Sequence, residues 1–95
     1  MVILEFGTND GNGIHADTSG AKRDTWKATY LSYRDMFPDT CFVPVTMPAS
    51  RNYPAWDASQ QELNDWLMAT FPDSIDWNGF ELAQRAAGYT LLTED

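Results

Sequence analysis

The sequence is poor in the side chains that form disulfides, metal sites and nucleic-acid interfaces. Among its 95 residues are one cysteine, one histidine and six lysines and arginines, against 14 acidic residues. One cysteine excludes an intrachain disulfide, and together with one histidine it does not assemble a zinc site, so we expect no metal and no cofactor. The formal net charge of −8 argues against nucleic-acid binding, which needs a basic surface.

Long hydrophobic runs are also missing. The apolar start of the chain covers about five residues, well short of a membrane span, and no basic segment precedes it. We therefore expect no signal peptide, no transmembrane segment and no binding to anionic membranes, and the sequence assigns no compartment. With 43% hydrophobic residues and many aromatic side chains, residues 1–95 are expected to fold as one domain or part of one.

The order of the apolar segments predicts an α/β fold. Strands are expected at residues 2–6, 41–46 and 75–77, and helices at 25–36, from a capping box at 59–62 up to Pro72, and at 79–87. This order implies right-handed crossovers and a three-layer domain around a parallel sheet of about three strands. Its continuous apolar run makes 2–6 a strand buried on both faces, while 7–20 read as a polar loop and Cys41 as a buried thiol.

The most informative motif is the turn Gly-Thr-Asn-Asp at residues 7–10, directly after the first strand. Ligands of open parallel sheets sit outside the carboxyl ends of the strands, where this turn would lie. Gly7 permits the sharp turn, and Asn9 offers an amide donor suited to stabilising an oxyanion. The alternative is that these residues are ordinary turn formers.

The run VILEFGTND resembles the third conserved block of the SGNH (GDSL-type) ester hydrolases. The resemblance continues in order through FPDTCFVPVTMPASRNYP, QELNDWLMATFPDSIDW and GYTLLTED, the last of which is similar to the lead-in to the family's final Asp-Gly-x-His block. It implies a flavodoxin-like fold segment and an oxyanion role for Asn9, beside Gly7. It also implies that Asp95 is the triad aspartate if the chain continues into Gly-x-His.

Two family blocks are absent from the sequence. No Gly-Asp-Ser nucleophile block is present, and no Gly-x-His follows Asp95. His15 is the only histidine, within a stretch (Gly-Ile-His-Ala-Asp) that resembles a displaced final block, and it is the only side chain suited to general-base chemistry near neutral pH. The alternatives for His15 are an exposed loop residue or the base of a rearranged relative. No serine matches the family's nucleophile, and Ser59 reads as a helix cap.

These observations leave three functions open. The chain is a segment or degenerate relative of a serine ester hydrolase, acting on carboxylic esters or acetylated sugars when complete and inactive alone. Alternatively, it is a non-catalytic module that assembles with a second chain, or with itself, through an exposed sheet edge. A weaker alternative, motivated by the −8 charge, is an acidic mimic of nucleic acid.

Overall fold

The computed structural model describes residues 1–5, 11–48 and 56–89. In chain order the elements are strand β1 (Val2–Leu4), helices α1 (Gly11–Ala16) and α2 (Ala21–Met36), strand β2 (Phe42–Pro44), and helices α3 (Asp57–Thr70) and α4 (Trp77–Ala86). Helix α1 lies inside the segment that the sequence predicts to be a polar loop. Within the described residues the fold is therefore mostly helical.

The two strands pair in parallel, with Val2 opposite Phe42 and Leu4 opposite Pro44. Backbone bonds from Val2 N–H to the Cys41 carbonyl (2.8 Å) and from Val45 N–H to the Leu4 carbonyl (2.9 Å) flank the pair. Beyond β2, Val45 forms a single parallel bridge with Ile75.

The core lies on one face of this small sheet. Helix α2 contributes Trp26 and Tyr30, and helix α3 contributes Leu63 and Leu67, each at most 3% exposed. Leu4 and Phe42 lie on the same sheet face by the strand register, and both pack against this cluster. Five further residues belong to the cluster or pack against it: Ile14, Leu31, Met47, Trp66 and Phe71. Aromatic side chains of this cluster, with ring centroids 4.7–6.3 Å apart, form a continuous set of contacts between the two helices and β2. Both long helices therefore cover the same side of the sheet.

The expected three-layer, flavodoxin-like α/β fold with about three parallel strands is wrong. Within the described residues the sheet has two strands, and both long helices, α2 and α3, pack on one side of it. Across the sheet the order is β1, β2 and then Ile75, so each successive segment of the chain is added at the same edge of the sheet. Right-handed crossovers then place α2 and α3 on the same face, because covering both faces requires the strand order to reverse.

The predicted third strand at residues 75–77 is reduced to one bridge, and Pro44 supplies a reason. Ile75 donates to the Pro44 carbonyl (2.9 Å), and Thr46 donates to the Ile75 carbonyl (3.0 Å). The next ladder bond toward residue 73 would come from the nitrogen of Pro44, which carries no hydrogen. On the other side, Asp76 already caps helix α4, its carboxylate accepting from Gly79 N–H at 2.9 Å.

Two burial expectations are also wrong. Residues 2–6 are expected to be buried on both faces, but Ile3 is 58% exposed, on the face of the sheet opposite α2 and α3. Cys41, expected to be buried, is an exposed free thiol that precedes β2.

Helix α2 begins earlier than its sequence pattern suggests, and its start is organised by Asp17. The Asp17 carboxylate accepts from Ser19 N–H (3.0 Å), Ser19 Oγ (2.7 Å) and Lys22 N–H (2.9 Å). Gly20 takes the left-handed conformation (φ 80°) that lets the chain enter the helix at Ala21. These bonds connect α1 to α2 through a tight, fixed turn.

Candidate functional site

Three of the four predicted site residues, Gly7, Asn9 and Asp95, lie outside the described residues. The fourth, His15, lies in the last turn of α1, half-buried. The oxyanion role of Asn9 and the triad role of Asp95 therefore stay predictions.

His15 contacts a serine that is far away in the sequence. Its Nδ1 lies 2.7 Å from Oγ of Ser59, 44 positions further along the chain. The predicted capping box is wrong, because α3 already begins at Asp57 after Trp56, with no side-chain cap. Ser59 is thus the third residue of the helix, and its hydroxyl is turned to the imidazole instead of to a helix-end amide.

The surroundings of the pair favour a neutral imidazole. Burial lowers the pKa of His15 below its ordinary value of 6.5, and the positive charge of Arg23 lowers it further. The Trp56 ring packs against the imidazole, with centroids 5.5 Å apart. In the neutral tautomer with its proton on Nε2, Nδ1 accepts a hydrogen bond from the Ser59 hydroxyl. Within the described residues Nε2 has no hydrogen-bond partner, so no carboxylate there completes a triad.

Ser59 was missed at the level of sequence because its strongest local signal is that of a helix cap. A serine three residues before a glutamate is typical of a helix start, and this pattern explains Ser59 without a role as a nucleophile. The contact with His15 depends on how α1 packs near the start of α3, and no spacing rule encodes that.

The polar side chains near the carboxyl end of β2 form hydrogen bonds that stabilise the fold. Asn64 is fully buried and exchanges two hydrogen bonds with the Met47 backbone, at 2.9 and 3.3 Å. Thr46 Oγ1 accepts from Asn78 N–H at 2.8 Å and donates to Asp76 Oδ1 at 3.3 Å. These groups fix α3 and α4 to the end of β2, and their hydrogen bonds are already made.

A second feature is the outer sheet face, which we define by Ile3, Val43, Val45 and Ile75. These residues share a face by register, opposite the core, because Ile3 pairs with Val43 and Val45 with Ile75. Ile3 is 58% and Ile75 44% exposed, whereas Val43 is buried between them. Within residues 1–5, 11–48 and 56–89, no further strand pairs with the free edge of β1.

Charge is distributed unevenly between the two sides of the sheet. Four of the six lysines and arginines are in α2, on the core side. The segments that form the sheet (residues 1–5, 37–48 and 71–76) contain no lysine or arginine, but they include exposed acids such as Glu5, Asp39 and Asp73. The outer sheet face is therefore apolar, and the segments that carry it are acidic.

The described part of the chain offers no other obvious ligand site. It holds no cluster of three or more metal-ligating side chains, and none of its helices is both long and apolar enough for a membrane span.

Comparison with known proteins gives no relative. No protein-family model, no curated protein and no solved structure matches this chain. The resemblance to the SGNH hydrolases therefore rests on the sequence blocks alone and remains a prediction.

Proposed function

We propose that this chain is a segment or degenerate relative of an SGNH-type ester hydrolase that acts by binding a second polypeptide through its outer sheet face. The observation that carries the proposal is the exposure of Ile3 (58%) and Ile75 (44%) on a parallel sheet whose two long helices, α2 and α3, pack on the opposite side. Parallel sheets are normally buried on both faces, and contiguous exposed apolar surface marks interaction sites.

The chemistry of the surface defines the partner. An apolar face carried by acidic segments favours a partner segment that has an apolar stripe flanked by lysine or arginine. A second copy of this chain is disfavoured, since two copies at −8 each repel one another. The free edge of β1 adds the outward N–H and C=O of Ile3 as backbone partners for such a segment.

The ester-hydrolase part of the proposal concerns the assembled state. In the SGNH family, hydrolysis of carboxylic esters or acetylated sugars uses a nucleophile block and a histidine block, and the proposal places both outside residues 1–95. We assign no sustained ester turnover to the chain alone.

Site-specific photo-cross-linking tests the proposal. A benzophenone amino acid replaces Ile3, on the outer sheet face, and in a matched control it replaces Tyr33, which is 38% exposed on α2. In extracts of the native source, position 3 should cross-link to a defined polypeptide through a basic, apolar segment, and position 33 should not. Equal cross-linking at both positions, or none at position 3, would reject the proposal. Asn9→Ala should leave the cross-link unchanged.

A further inference from the structure

We infer that Ser59 is a nucleophile that His15 activates, and that the pair accepts an acyl group from small activated carboxylic esters. The proposal is independent of the outer sheet face and of the family's own nucleophile position. It rests on the 2.7 Å contact between Ser59 Oγ and His15 Nδ1. A serine within hydrogen-bond reach of an imidazole is the basic arrangement of serine acyl transfer.

Three properties of the pair suit this chemistry. Both residues are half-buried, so the pair is partly shielded from water and partly exposed to solvent. Burial and Arg23 lower the pKa of His15, which favours the neutral imidazole near pH 7, and in the tautomer with its proton on Nε2 the Nδ1 atom accepts from Ser59. The ring is held on one side by Trp56, which limits its rotation away from Ser59.

The step balances without any further reagent. Ser59 Oγ attacks the ester carbonyl carbon, and the hydroxyl proton passes to His15 Nδ1. The bond from that carbon to the leaving oxygen breaks, the leaving group takes the proton from Nδ1, and an acyl-Ser59 ester remains. Water then attacks the acyl group, its proton passes through Nδ1 to Oγ, and the free acid leaves.

The second half of this cycle is expected to be slow. In serine hydrolases a carboxylate orients the imidazole, and its loss reduces turnover by about 10⁴-fold. Within the described residues no carboxylate bonds to Nε2 of His15. An activated ester favours acylation through its good leaving group, so the expected signature is one acylation per chain followed by slow release.

The test is a burst experiment with 4-nitrophenyl acetate on the 95-residue chain, followed by peptide mapping of the trapped product. We expect about one nitrophenolate per chain in the burst and the acetyl group on Ser59. In His15→Gln the acetylation rate should fall by roughly 10²-fold. Ser32→Ala, which removes an exposed serine of α2, is the matched control and should behave as the wild type.

Three results would overturn the inference. The first is an acetyl group spread over lysines and the amino terminus with none on Ser59, and the second is an unchanged acetylation rate in His15→Gln. The third is a full burst in Ser59→Ala, which would make His15 the nucleophile. The peptide map of the wild-type chain decides the first point even if a variant does not fold.

Discussion

The side chain of Asn64 is paired in both directions with the backbone of Met47, 17 positions earlier. Its Oδ1 accepts from Met47 N–H at 2.9 Å and its Nδ2 donates to the Met47 carbonyl at 3.3 Å, with both residues fully buried. The pair thereby joins the chain after β2 to the middle of α3.

Replacing Asn64 with leucine should lower the free energy of unfolding by about 2–3 kcal/mol, because two buried backbone groups lose their partners. Urea unfolding followed by circular dichroism measures the change. Asp65→Ala, an exposed neighbour on α3, is the control and should change stability by about 0.5 kcal/mol or less. A loss in Asn64→Leu no greater than in the control would show that the pairing is not formed.

Because of the cap of α4, Gly79→Ala should change the free energy of unfolding in opposite directions in the wild-type chain and in Asp76→Ala. Asp76 accepts from Gly79 N–H, and a Cβ on Gly79 would clash with that same carboxylate. Gly79→Ala should therefore destabilise the wild-type chain. In Asp76→Ala, which itself should cost about 1 kcal/mol, the clash is gone, and Gly79→Ala should stabilise α4 by up to about 1 kcal/mol. A double-mutant cycle in urea measures this coupling, and additive effects would contradict it.

Stability should fall in mildly acidic solution because of His15. Burial and Arg23 lower the pKa of His15 in the folded chain below 6.5, so the unfolded chain binds the proton more readily. The contribution of His15 to the free energy of unfolding is fully present above about pH 6.5 and is lost as the pH falls through the pKa of His15 in the folded chain. Between about pH 7.5 and about pH 5.5, the wild-type chain should lose more unfolding free energy than His15→Gln. Equal losses in the two proteins would show that the imidazole is not shielded.

A second pH effect arises at Asp17, at lower pH. Hydrogen bonds from the Ser19 side chain and from the Lys22 and Ser19 backbone lower the pKa of Asp17 from 3.8 to about 2. Its contribution to stability is present above the unfolded value and is lost as the pH falls toward 2. A carboxyl-carbon NMR titration should give Asp17 a lower midpoint in the folded chain than in the urea-unfolded chain. Equal midpoints in the two states would mean that this cap is not formed.

The helices were the most predictable part of the fold. Aromatic and leucine residues at three- and four-residue spacing indicate α2 and α3, and the structure buries four of them: Trp26, Tyr30, Leu63 and Leu67. Tyr33, on the same stripe of α2, is 38% exposed. Gly88, which follows the last helix directly in the sequence, has a φ of 92°, a conformation that glycine adopts readily. Such features depend on neighbours within a few turns, which a single sequence displays directly.

The sheet and the Ser59–His15 pair were less predictable because both depend on how elements meet. The apolar run at residues 2–4 has the composition of a fully buried strand, yet composition does not say whether a second layer of helices exists to cover Ile3. Ser59 carries a cap pattern, and only the packing of α1 near α3 turns it to His15.

The most direct test of the proposed function is native mass spectrometry of the protein as isolated from its source. We predict that the chain is held non-covalently by a second, different polypeptide, and that Ile3→Asp releases it while Tyr33→Asp does not. A wild-type chain that remains a single 10.7 kDa species at high protein concentration would contradict the account.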